Sequence, residues 1–128
     1  MNLNQVTLPV NDMGKSTQFY RDLGFIQIAD APHYDYARFE CPEGESTFSL
    51  LLANSKIVCA TVIYFEHDKL DDWVNDLKAQ GFLSNQEPRD ESHLWREAIL
   101  HDPSGNKITL YWAEENRLNP PWRVEIRT

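Results

Sequence analysis

Glu97 stands in the run Trp95-Arg96-Glu97-Ala98-Ile99-Leu100. There, strand alternation that turns Ala98 and Leu100 toward a core sends Trp95, Glu97 and Ile99 to the opposite side. A carboxylate on a neutral, aromatic-lined surface is suited to act as a general base or to hold a cationic ligand, which makes Glu97 the catalytic candidate. The plainer alternative is an ion pair with Arg96 or Arg38. Trp95 and Tyr111 offer flat faces to a planar ligand, although aromatics on sheets more often build core. Of the four histidines, His67 and His101 precede a helix start and a turn and read as surface groups, His33 lies in a turn, and His93 adjoins the Glu97 strand. Cys41 and Cys59 lack metal-type spacing and read as reduced thiols. No nucleophile motif, phosphate loop or Ser-His-Asp arrangement is present.

The elements that must position these residues follow from periodicity and punctuation. Residues 3–10 form a strand, and Asn11-Asp12 caps a helix carrying Met13, Phe19, Tyr20 and Leu23 that ends at Gly24. Strands over 25–29, 34–39 and 47–53 follow, separated by turns at Ala31-Pro32-His33 and Cys41-Pro42-Glu43-Gly44. A second strand–helix pair covers 58–65 and a helix capped by Asp68, carrying Leu70, Trp73, Val74 and Leu77 and stopping at Gly81. A weak strand near Phe82, a polar loop over 85–92 around Pro88, and strands over 94–100 and 107–112 complete the second set. Asp102-Pro103-Ser104-Gly105-Asn106 turns between the last two, and Asn119-Pro120-Pro121-Trp122 keeps the tail out of helix.

The two sets are echoes. Thr47-Phe48-Ser49-Leu50-Leu51-Leu52-Ala53 returns sixty positions later as Lys107-Ile108-Thr109-Leu110-Tyr111-Trp112-Ala113, and the segment 6–12 matches 62–68 at a spacing of fifty-six. A repeat of this length is one supersecondary unit that needs its copy to complete a core. The expectation is one domain over 1–128, with a first module over about 1–54, a second over about 57–113 and a tail from 114, and with function between the halves. Alternation assigns Val6, Leu8 and Val10, and Phe48, Leu50 and Leu52, to the helix side. It sends Gln5, Thr7, Ser49, Leu51 and Ala53 to the other. In the second copy it assigns Thr61, Ile63, Phe65, Thr109 and Tyr111 to that ligand-facing side. Gln5, Thr7, Ser49, Thr61, Trp95, Glu97, Thr109 and Tyr111 are the candidate ligand-binding set.

Composition narrows the partners. The chain has 128 residues, 41% of them apolar, which suits a soluble globular protein with one core. A net charge of −8 argues against nucleic acid and anionic bilayers, which need clustered Lys and Arg, and leaves a cationic or neutral small molecule. No apolar run approaches membrane-spanning length, and the first residues lack signal-peptide order, so a cytoplasmic location is expected.

With Val6-x-Leu8-x-Val10-x-Asp12, Phe19-Tyr20-x-x-Leu23-Gly24-Phe25 and the run from His101 to Leu110, the chain resembles the vicinal oxygen chelate superfamily of glyoxalase I, bleomycin-resistance proteins and extradiol dioxygenases. That resemblance implies an α+β fold of paired βαβββ modules, with curved, mixed, mostly antiparallel sheets around a cleft, commonly completed by a homodimer. Metal-dependent members hold a divalent ion at positions that carry over to Gln5, Ser49, Thr61 and Thr109. None of these is histidine, cysteine or carboxylate, so no metal cofactor is expected. Metal-assisted isomerisation or ring cleavage loses its basis there. Metal-free binding of a small cationic or aromatic molecule is the leading expectation. The alternatives are a lyase or dioxygenase whose metal ligands come from His93, His101 and Glu97, and a paralogue that acts only through its dimer surface.

Overall fold

The computed structural model describes residues 1–31, 35–53, 56 and 61–127. The expected turn at Pro32 and His33, Tyr34 at the head of its strand, and Val58, Cys59 and Ala60 at the head of another lie outside the described residues. Two helices and eight strands in two mixed four-stranded sheets are present among the described residues. The chain divides into two compact units, Met1–Thr61 with His101–Asn106, and Val62–Leu100 with Lys107–Thr128.

In the first unit β1 (Gln5–Val10), α1 (Met13–Leu23), β2 (Ile26–Asp30), β3 (Tyr36–Glu40) and β4 (Thr47–Leu52) form a sheet of order β1-β4-β3-β2. β1 runs parallel to β4, while β3 is antiparallel to both β4 and β2. Asp12 caps α1 by accepting from Lys15 N at 2.9 Å, and Gly24 closes it at φ 116°, a left-handed geometry that disfavours any side chain. Tyr20, Phe25, Phe39 and Phe48 make an aromatic core beneath α1, with Phe39 and Phe48 stacked at 5.2 Å and Tyr20 5.1 Å from Phe48. Each such side chain contributes about 1.5–3 kcal/mol by leaving water. The turn at 102–106 belongs to this unit. Asp102, 4% exposed, accepts from Ser104 N, from Asn106 N and Nδ2, and from Tyr20 OH at 2.8–2.9 Å, and Asn106 Nδ2 also donates to Pro9 O.

In the second unit β5 (Val62–Glu66), α2 (Leu70–Ala79), β6 (Gln86–Asp90), β7 (Arg96–His101) and β8 (Lys107–Trp112) form a sheet of order β5-β8-β7-β6. Ile63, Phe65, Leu70, Val74, Leu77, Ala98, Leu100, Ile108 and Leu110 are its core. Three expectations change. The polar loop over 85–92 contains β6, an edge strand on which Pro88 needs no donor, and Phe82 precedes it without being strand. α2 starts one residue later than expected: Lys69, not Asp68, is its N-cap, and no side chain caps it. A short 3₁₀ helix, Glu114–Arg117, opens the tail.

The largest correction is one of register. Gln5 pairs with Thr47 and Thr7 with Ser49, whereas Val62 pairs with Lys107 and Tyr64 with Thr109. The first strands of the two copies are therefore fifty-seven apart, not fifty-six, and a slip of one exchanges the faces of a strand. Ile63 and Phe65 are buried under α2, and Tyr64 takes the outer face assigned to them. Thr61 precedes β5, and Val62 is the mate of Gln5. Val6, expected against α1, is 37% exposed, whereas Leu8 and Val10 on the same face are fully buried.

Candidate functional site

In the second unit, alternation along β5, β7 and β8 brings Tyr64, Trp95, Glu97, Thr109 and Tyr111 to the face away from the core. Trp95 and Tyr111 stack at 4.7 Å and 18°, and Tyr64 meets them edge-on at 6.0 and 5.7 Å. A tight turn between β6 and β7 places the upper edge: Glu91 N donates to Trp95 O, Leu94 N to Glu91 O, and Leu94 sits at φ 74°, a strained value for a bulky residue. His93 and Trp95 flank that residue, with His93 5.6 Å edge-on to the indole and its Nε2 3.5 Å from Glu97 Oε1. The tail supplies the other wall, since Trp95 Nε1 donates to Asn116 O at 3.2 Å and Arg117, Pro120 and Trp122 line the same space. The result is an open cavity of about 350 Å³ with Tyr64, His93, Trp95 and Glu97 as its floor.

Glu97 is only 14% exposed, has the His93 imidazole as its near partner and shares the cavity lining with Arg117. Arg96, on the other side of β7, is engaged with Asp71 and Asp90, and its bonds hold the Asp71 carboxyl below the usual range. Burial, and next the charge of Glu66, push the Tyr111 phenol upward, with Arg117 pulling against them. An aromatic floor with a shielded carboxylate attracts planar rings through their faces and cations through both features.

The outer face of the first sheet is different in kind. Gln5 Nε2 donates to Ser49 Oγ at 2.6 Å, Tyr36 OH lies 2.7 Å from Ser49 Oγ, and Arg38 Nε reaches Tyr36 OH at 3.0 Å and Ser49 Oγ at 3.4 Å. Thr47 Oγ1 donates to Gln5 Oε1. Gln5 and Ser49 are two of the four positions at which the resemblance implies metal ligands. A guanidinium beside Ser49 and a set of neutral oxygens already committed to one another do not fit a divalent cation, and Val62 in place of Thr61 removes a donor. Among the described residues no three His, Cys, Asp or Glu are grouped to hold a metal. His93 and Glu97 approach each other, whereas His101 falls in the other unit.

The candidate set thus splits. Trp95, Glu97, Thr109 and Tyr111 share one face, with Thr109 buried across from Tyr64, while Gln5, Thr7 and Ser49 share the other. Sequence reasoning missed Tyr64 through the register slip. It missed Tyr36 by looking for metal ligands, and considered Arg38 only as a partner for Glu97. It read Pro120 and Pro121 only as helix breakers, so Asn116, Arg117 and Trp122 went unassigned. His67, expected at the surface, is part-buried and tilted against Trp73 while its Nδ1 accepts from Lys69 N, and His101 is exposed.

Comparison with known proteins places the chain in a family. The family model of the Glyoxalase/Bleomycin resistance protein/Dioxygenase superfamily matches residues 2–110. No curated protein matches the chain. Among solved structures, a glyoxalase/bleomycin resistance protein/dioxygenase from Nocardioides is 19% identical with a TM-score of 0.77, covering 98% of this chain and 90% of its own. A lactoylglutathione lyase from Agrobacterium tumefaciens is 19% identical at 0.74, covering 88% and 94%. An antibiotic binding protein from Streptomyces sp. CB03234 is 22% identical at 0.74, covering 88% and 97%. With a matching family model over most of its length and a paired-module α+β fold, the chain belongs to the glyoxalase/bleomycin resistance protein/dioxygenase superfamily.

Proposed function

We propose that this protein binds a small, planar, positively charged molecule in the second-unit cavity, without a metal cofactor. The observation that carries the reading is the pair Tyr64 and Trp95, backed by Tyr111 stacked behind the indole, with Glu97 set beside them in the cavity lining. Such a site gains from ring stacking and from a carboxylate whose partial burial strengthens its attraction for a cation. A structure of the same fold that is described as an antibiotic binding protein supports a binding role. In this reading the protein acts in the cytoplasm as a homodimer. The exposed Ile26 and Ile28 of edge strand β2 supply apolar surface for pairing, and light scattering on the purified protein measures its mass.

The test is a Trp fluorescence titration with proflavine, a planar cation, alongside 9-anthracenecarboxylate, a planar anion. Saturable quenching by the cation alone, unchanged by EDTA, is the expected result. Trp95→Ala and Glu97→Gln each weaken it by about tenfold, equivalent to one interaction of about 1.4 kcal/mol. No saturable signal from the cation, or equal binding by Glu97→Gln, counts against the reading. A metal-dependent lyase or dioxygenase draws support only from the His93–Glu97 approach, and a stoichiometric, chelator-removable ion on the purified protein would favour it.

A further inference from the structure

Arg38 is an arginine held in place by neutral groups in a protein rich in carboxylates. The chain has 20 Asp and Glu against 12 Lys and Arg, and Arg89, Arg96, Arg123 and Arg127 each lie against a carboxylate. Every side-chain carboxylate lies among the described residues, yet none pairs with Arg38, not even Glu40 two residues along the same strand face. The guanidinium spends its Nε–H on Tyr36 OH and Ser49 Oγ, and its two terminal amino groups donate to no described residue.

Proton counting orients the rest of the network. Ser49 is fully buried and its Oγ already accepts from Gln5, while Gln5 Oε1 is taken by Thr47. Leaving the Ser49 proton unpaired would be costly, so it goes to Tyr36 OH at 2.7 Å. The phenol oxygen then accepts from Ser49 and from Arg38 Nε, and its own proton is free to point outward. The same two bonds lower the phenol's affinity for its proton, with the Ser49 bond first. At Tyr36 and Arg38 the outer face of β3 therefore presents two guanidinium amino groups and a phenol O–H, anchored by a chain that runs back to Thr47, with the Glu40 carboxylate two residues along the strand.

We infer that Arg38 and Tyr36, braced by Ser49 and Gln5, form a second binding site, one for an oxyanion such as a carboxylate or phosphate group. A planar fork of two N–H groups matches two oxygens of such an anion, and the phenol reaches a third acceptor position. This site goes beyond the proposed cation-binding pocket and stands on a different unit.

The experiment follows the Arg38 Nε–Hε resonance in ¹H–¹⁵N spectra during titration with inorganic phosphate or acetate, with chloride as control, at constant ionic strength. Saturation by phosphate, acetate or both, but not chloride, is expected, and which anion saturates separates a phosphate from a carboxylate ligand. Arg38→Lys keeps the charge but loses the fork and weakens binding about tenfold, the loss of one charge-assisted bond, while Tyr36→Phe weakens it less. Shifts in the native protein that stay linear, or that chloride reproduces, overturn the site whatever the variants do, as does undiminished binding by folded Arg38→Lys. Trp95 fluorescence reports only the other unit, so this result and the proflavine result fail separately.

Discussion

Tyr20 and Tyr36 show how one residue type takes opposite roles within a single unit. Tyr20 is fully buried and donates to Asp102, and burial, then the negative charge and hydrogen bond of Asp102, push its phenol far above the ordinary range. The folded protein thus keeps a proton that the unfolded chain releases above about pH 10. That stabilisation is fully present below pH 10 and declines as pH rises beyond it, by about 1.4 kcal/mol per pH unit. Tyr111 adds to the same trend. Urea unfolding from pH 8 to 11 is expected to show the decline, with a shallower slope for Tyr20→Phe, which also loses about 1–3 kcal/mol at neutral pH. Tyr36 moves the other way: the bonds from Ser49 and Arg38 lower its phenol. Absorbance at 295 nm should find a phenol titrating below the usual value, which Arg38→Gln shifts upward.

At the scale of elements, the two helices are copies that start differently. Asp12 caps α1, whereas the aspartate that looks like its twin, Asp68, stands one residue outside the cap of α2 and lies beside His67. Asp12→Ala should cost about 1 kcal/mol, the usual value for a lost N-cap, and Asp68→Ala less than about 0.5 kcal/mol, as urea midpoints will show. The same displacement explains what was legible. Order and type of the elements were readable because helix and strand periods differ and because Gly24 and the Asp102 turn punctuate them. The faces of β7 and β8 were readable for the same reason, so Trp95, Glu97, Thr109 and Tyr111 fell together. The face of β5 was not, because matching Val6 to Val62 hid the offset that the pairs Gly24-Phe25 and Gly81-Phe82 already spelled as fifty-seven. Periodicity also has no hold on a tail that walls a cavity by tertiary contact, nor on Arg38, whose meaning depends on which carboxylates fail to reach it.

For the molecule as a whole, the duplicated architecture carries two unlike surfaces, one aromatic with a carboxylate and one polar with a guanidinium. A net charge of −8 favours approach of a cation, and that preference weakens with salt. A ligand at a hundred times its Kd stabilises the fold by about 2.7 kcal/mol, so proflavine should raise the thermal midpoint. Trp122 is 57% exposed and lines the cavity, and Trp122→Ala is expected to shrink that rise while leaving the ligand-free midpoint unchanged in differential scanning fluorimetry.

The turn at 102–106 carries a last consequence. Because Tyr20, Pro9 and Asn11 find partners in Asp102, Asn106 and Ser104, the first unit cannot close until the ribosome has made four-fifths of the chain. These long sequence separations slow folding. A chain cut after the first module would therefore leave a first unit without its latch.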